Sequence, residues 1–64
     1  MKVREILKLV RDDGWQLVRQ RGSHRQFQHP EKPGTVTVAG NPGVDLHPKT
    51  ARSILRQARL GTVE

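Results

Sequence analysis

The chain has 64 residues, no cysteine, and twelve lysines and arginines against six acidic residues, which gives a formal net charge of +6 at pH 7. This length suits one small domain without a deep cofactor pocket, and the absence of thiols excludes disulfides and thiolate metal sites. The positive charge points to a polyanionic partner, with nucleic acid as the first candidate, because neutralising phosphates releases counterions.

A helix is predicted over residues 3–13. Four apolar residues recur at the i, i+3, i+4, i+7 spacing that lines one helix face: Val3, Ile6, Leu7 and Val10. Gly14 supplies a stop signal directly after this pattern. No Ser, Thr, Asp or Asn stands at the helix start, so we expect its first turn to fray.

The residues after Gly14 predict a first strand. Between positions 15 and 20 the pattern changes to a period of two, which is typical of a strand. Strict alternation places two sets on opposite sides, with Trp15, Leu17 and Arg19 on one and Gln16, Val18 and Gln20 on the other.

Two further strands follow. Gly22-Ser23 interrupts the first strand, and residues 24–29 form a returning strand whose one large apolar anchor is Phe27. Residues 30–34 are rich in structure breakers, and the β-branched residues 35–38 come directly after them. Tight turns between short strands predict one antiparallel meander.

A second helix is predicted to begin near His47-Pro48, after a loop over residues 40–45. Proline suits the first helical position because its missing N–H would be unpaired there. The apolar arc of this helix consists of Ala51, Ile54, Leu55 and Ala58. The opposite arc is cationic and consists of Lys49, Arg52, Arg56 and Arg59.

These elements predict a single α+β domain over residues 1–64, in the order α-β-β-β-α. Two amphipathic helices would pack on one face of a three-stranded antiparallel sheet and leave the other face open to solvent. We expect Trp15 and Phe27 to belong to the core. Because Phe27 then faces the helices, His24, three residues earlier, should project from the open face with Gln26 and Gln28.

His24 is the leading candidate for chemistry. It follows a turn that exposes backbone N–H groups, and it stands among Arg19, Arg21 and Arg25. A neutral imidazole accepts a proton readily near pH 7. RNA cleavage needs a base for the ribose 2′-OH, cations for the charge that grows on the phosphorane, and an acid for the leaving 5′-oxygen. DNA lacks the 2′-OH and would be spared.

Interpretations that give the same residues no function stay open. A histidine on a small protein is most often a surface residue without a role, and a basic helix face is often merely solvated. A metal site is disfavoured because His24 and His29 are separated by an odd number of residues and so point to opposite faces of a strand. His29 is a weak candidate for the acid, and His47 is expected in the cap region of the second helix.

Several motifs together resemble the HicA family of bacterial toxins over roughly residues 3–60. The likeness rests on Gly14-Trp15, Gly22-Ser23-His24 followed by Phe27, the strand 35–38 and the helix from Lys49 to Ala58. It implies an mRNA interferase with a double-stranded-RNA-binding-domain-like fold, held inactive by a HicB antitoxin, with His24 as the catalytic residue. Family members often carry another histidine near the end of the third strand, where this chain has Ala39-Gly40-Asn41.

We therefore expect a toxin endoribonuclease that cleaves mRNA without metal or cofactor and is restrained by an acidic HicB-type antitoxin. The expected RNA contacts are Arg21, Gly22, Ser23, Arg25, Lys49, Arg52 and Arg56. The alternative is a non-catalytic RNA-binding module of the same fold, and a DNA-binding protein is disfavoured because neither helix presents a suitable reading face. No apolar run approaches the ~20 residues of a membrane span, which predicts a soluble, cytoplasmic protein.

Overall fold

The elements occur in the predicted order, α-β-β-β-α. The computed structural model describes residues 1–60. The elements are α1 (Val3–Asp12), β1 (Gln16–Arg21), β2 (His24–Gln28), β3 (Thr35–Val38) and α2 (Pro48–Gln57). The strands form one antiparallel sheet with β2 in the centre, so the predicted α+β class is confirmed. Within the described part of the chain, neither helix is long and apolar enough to cross a membrane.

The apolar stripes of both helices meet one face of the sheet in a single core. Its buried members are Val3, Ile6, Leu7, Val10, Trp15, Phe27, Val36, Val38, Ala51, Ile54 and Ala58. Phe27 is fully buried at the centre of the sheet, as predicted. Trp15 is also buried, and its indole N–H donates to the carbonyl of Ala58 at 3.3 Å, which joins the start of β1 to the end of α2.

Gly14 ends α1, as predicted. The Gly14 N–H donates to the carbonyl of Arg11 and the Trp15 N–H to that of Val10, both at 3.0 Å, in the two-bond pattern of a Schellman motif. The φ of Gly14 is +105°, and a Cβ at this position would lie 2.9 Å from Nε2 of His29. Backbone conformation and a close neighbour therefore both require glycine here.

The start of α1 is capped by a distant loop, so the expectation of a frayed first turn was wrong. The N–H groups of Val3 and Arg4 donate to the carbonyls of Val44 and Pro42 at 2.9 and 3.1 Å. The loop between β3 and α2 thus supplies the acceptors that the local sequence lacks. A cap that comes from another part of the chain leaves no signal next to the helix itself.

The free backbone groups at both ends of α2 find hydrogen-bond partners in or next to the helix itself. His47 is the N-cap residue, as predicted, and its Nδ1 accepts the N–H of Lys49 at 3.0 Å. At the other end, the N–H of Leu60 donates to the carbonyl of Leu55 at 2.8 Å, while Arg59 adopts a φ of +56°. An arginine therefore occupies the left-handed position that glycine usually takes after a helix.

β1 departs from strict alternation through a β-bulge. Leu17 lies opposite Phe27, but Arg19 lies opposite Gln26, so Val18 is an extra residue in this strand. Because Gln26 and Phe27 point to opposite faces, the bulge turns Arg19 to the open face of the sheet. The prediction that Arg19 shares a side with Leu17 was therefore wrong.

Candidate active site

A concavity surrounds His24 on the open face of the sheet. It is lined by Arg19, Arg21, His24 and Gln26. Arg21 lies directly opposite His24 across the strand pair, and Arg19 lies opposite Gln26. Cβ atoms of directly opposed residues are roughly 5 Å apart, so both guanidinium groups can reach an anion that touches the imidazole. His24 is exposed, on the face predicted for it.

The turn that presents His24 is a two-residue hairpin loop. Gly22 has a φ of +55°, whereas the φ of Ser23 is not positive, which is the pattern of a type II′ turn with glycine in its first position. Arg21 and His24 form the strand pair that closes this turn. The turn therefore fixes the imidazole at the first residue of β2, beside a guanidinium group.

Arg25, an expected RNA contact, lies outside the concavity. Its side chain belongs to the helix-facing side of β2, the residue is only 9% exposed, and it does not line the concavity. Its Nη1 donates to the carbonyls of Ser23 and Gly40 at 3.1 and 3.0 Å. The N–H of Gly40 also donates to the carbonyl of Ser23, at 3.3 Å. Arg25 therefore ties the turn before His24 to the chain segment after β3.

His29 is a structural residue and is not available as a general acid. Its side chain is 7% exposed, and its Nδ1 accepts the N–H groups of Glu31 and Lys32 at 2.9 and 3.1 Å. Nε2 therefore carries the proton and donates to the carbonyl of Asp13 at 2.8 Å. The ring also meets Trp15 edge-on, with centroids 5.3 Å apart.

His24 and His29 lie on opposite sides of the sheet, as predicted from their spacing. Residues 1–60 contain no group of three His, Asp or Glu side chains placed to hold a metal ion.

The cationic residues of α2 form a second surface. Lys49, Arg52 and Arg56 are exposed, as predicted, but none of them lines the concavity around His24. Lys49 instead lines a shallow groove between β3 and α2, together with Thr37, Ala39, Thr50, Ser53, Ile54 and Gln57. The structure thus brings Arg19 and Arg21 to His24 and keeps the basic helix separate.

Asp13, at the C-terminal end of α1, pairs with Lys32 in the loop before β3. Its carboxylate is hydrogen-bonded by the Lys32 ammonium, which also donates to the carbonyl of Ala58 at 3.3 Å. The hydrogen bond from Lys32 lowers the pKa of Asp13 below its ordinary value of 3.8. A carboxylate whose pKa is lowered by folding adds stability above its unfolded-state pKa, and that stability is lost as the pH falls through the folded-state value.

Asp13→Asn should therefore reduce the free energy of unfolding at neutral pH, and the difference from the wild type should shrink as the pH falls through the folded-state pKa. Urea unfolding, monitored by Trp15 fluorescence at a series of pH values, measures the free energy of unfolding of both proteins. Asp12→Asn is the control, because Asp12 pairs with Lys8 on the surface and such exposed pairs contribute little. A pH-independent difference for Asp13→Asn would contradict the assignment.

The described fold and concavity define a small basic α+β domain of α-β-β-β-α order, with an exposed histidine beside arginines at a hairpin turn. The family model of the HicA toxin of bacterial toxin-antitoxin systems matches residues 3–60. The chain therefore belongs to the HicA toxin family, whose members are the toxins of such systems. No curated protein matches it.

Proposed function

We propose that this toxin is a metal-independent endoribonuclease that cleaves mRNA in the cytoplasm, with His24 as its acid–base catalyst, and that a HicB-type antitoxin neutralises it. The observation that carries the proposal is the shared concavity of the His24 imidazole and the guanidinium groups of Arg19 and Arg21. Family membership supports the toxin role independently of that geometry.

The proposed reaction is an internal transfer at one phosphodiester. The neutral imidazole of His24 accepts the proton of a ribose 2′-OH, and the 2′-oxygen forms a bond to the adjacent phosphorus. The bond from phosphorus to the 5′-oxygen of the next nucleotide breaks, and that oxygen takes a proton from solvent or from the imidazolium. The products are a 2′,3′-cyclic phosphate and a 5′-hydroxyl end.

Arg19 and Arg21 are assigned to electrostatic stabilisation. Negative charge grows on the non-bridging oxygens in the transition state, and guanidinium groups placed there in advance stabilise it without rearrangement. The Gly22-Ser23 turn sets the position of the imidazole, and Arg25 holds that turn from the helix side. Arg25 thus supports the RNA site through the turn, while contact with phosphate falls to Arg19 and Arg21.

The basic face of α2 is assigned to RNA further from the cleaved bond. Lys49, Arg52 and Arg56 are exposed and lie outside the concavity. Phosphate contacts of this kind contribute affinity without sequence preference and weaken steeply as salt rises. Binding by α2 without cleavage at His24 would be the behaviour of the alternative, a non-catalytic RNA-binding module.

The product ends test the proposal. In EDTA, the purified protein should cut an RNA oligonucleotide into fragments that end in a 2′,3′-cyclic phosphate and begin with a 5′-hydroxyl, identified by mass spectrometry. The DNA oligonucleotide of the same sequence should stay intact, because it lacks the nucleophile. Loss of cleavage in EDTA or cleavage of the DNA would contradict the mechanism. Binding of RNA without any cleavage would instead favour the non-catalytic module.

A further inference from the structure

β1 projects from the body of the protein with both faces in solvent. All six of its residues, Gln16–Arg21, are exposed, and none belongs to the core cluster. Its one strand neighbour is β2, so within residues 1–60 its other edge has no partner strand. The helices cover the inner faces of β2 and β3, which supply Phe27, Val36 and Val38 to the core.

The exposed strand carries an apolar part beside a cationic part. Leu17 and Val18 are 43% and 53% exposed, although both are aliphatic. The bulge at Val18 directs Arg19 to the open face, where Arg21 also lies. β1 thus combines unpaired backbone groups at its outer edge with two aliphatic side chains and two guanidinium groups.

We propose that β1 is a docking strand for an acidic protein partner, which covers Leu17 and Val18 with apolar side chains and pairs carboxylates with Arg19 and Arg21. The identification of that partner as the antitoxin rests on the proposed function. An apolar centre with a charged rim is the usual anatomy of a protein–protein contact, and opposite charges bring the two surfaces together rapidly.

The chemistry of β1 suits a protein better than RNA or a second copy of the chain. RNA bases stack on aromatic side chains and phosphates pair with cations, so exposed Leu17 and Val18 offer RNA nothing. A second copy paired along the same edge would bring Arg19 and Arg21 of both molecules together, and like charges across strands destabilise a sheet. An acidic strand or loop removes that repulsion.

Docking at β1 would also explain how RNA is excluded. A segment paired with β1 lies about one strand spacing away from it, and so roughly 10 Å from β2, which carries His24. Side chains on its open face extend over Arg21, which directly opposes His24. The partner would therefore close the concavity and neutralise its cations without touching the imidazole.

Val18→Asp tests the docking strand. We expect it to weaken binding of the purified antitoxin encoded beside the toxin gene by about tenfold or more, because it places a carboxylate in an apolar contact with an acidic partner. Val44→Asp is the matched control, since this valine is 48% exposed but lies in the loop before α2. Isothermal titration calorimetry measures both affinities, and RNA cleavage without the antitoxin is measured in parallel.

The outcomes separate this inference from the proposed function. Equal antitoxin affinities for the wild type and for Val18→Asp would overturn the docking strand. A loss of RNA affinity in Val18→Ala, which adds no charge beside Arg19, would assign β1 to RNA, and a wild-type dimer that Val18→Asp disrupts would assign it to a second copy; both results also overturn the proposal. If the wild type fails to cleave RNA, the proposed function fails, while the affinity difference between the two aspartate variants still tests the docking strand.

Discussion

His24→Ala should abolish RNA cleavage and leave RNA affinity within a few-fold of the wild type. Removal of one positioned acid–base group costs roughly 10²- to 10⁴-fold in rate, and no other histidine in the described part of the chain lines the concavity to replace it. Affinity should persist because Arg19, Arg21 and the basic face of α2 supply the phosphate contacts. Single-turnover cleavage of a labelled RNA and fluorescence anisotropy measure the two quantities.

His47→Ala is the control for this substitution. It removes the same side chain from the N-cap of α2, where Nδ1 accepts the Lys49 N–H, so it should cost about 1 kcal/mol of stability and leave the cleavage rate unchanged. Cleavage by His24→Ala at the wild-type rate would remove His24 from the mechanism. A parallel fall of RNA affinity and cleavage would show that His24 acts in binding.

Gly14→Ala should destabilise the protein by roughly 3 kcal/mol or more, enough to unfold much of so small a domain. Its φ of +105° is unfavourable for alanine, and the new Cβ would lie 2.9 Å from Nε2 of His29. That ring cannot retreat easily, because it is buried and both of its nitrogens are hydrogen-bonded. Urea unfolding monitored by circular dichroism measures the loss.

Gly34→Ala separates the backbone strain from the steric contact as causes of the destabilisation in Gly14→Ala. Gly34 also has a positive φ, of +86°, but an added Cβ there meets no atom within 4 Å. It should therefore cost only the backbone strain, about 1–2 kcal/mol, and the further loss in Gly14→Ala reports the contact with His29. Equal losses in the two variants would show that His29 does not restrict this position.

The elements of the fold were predictable because each one carries a local periodic signal. The apolar residues that define α1 and α2 recur at helical spacing, and Gly14 and Pro48 mark a helix end and a helix start. The bulge at Val18 was not predictable. A classical signal such as glycine is missing from that strand, and strict alternation placed Arg19 on the wrong face.

In the candidate site too, only the features that depend on residues close in sequence were predictable. The exposure of His24 and the glycine of its turn follow from alternation and turn chemistry alone. Alternation places Arg25 on the same side of β2 as Phe27, but the hydrogen bonds of Arg25 and His29 involve groups elsewhere in the chain, such as the carbonyl groups of Gly40 and Asp13. Charge and spacing could not show that both side chains are committed to holding the structure.

The loop after β3 has a consequence for how the toxin loses activity. Gly40 holds the turn before His24, and Pro42 and Val44 accept the first N–H groups of α1. One segment therefore holds both the hairpin that carries His24 and a helix of the core, and local opening of the segment would release the two together. Under the proposed function, a partly unfolded molecule should therefore lose RNA cleavage as soon as this segment opens.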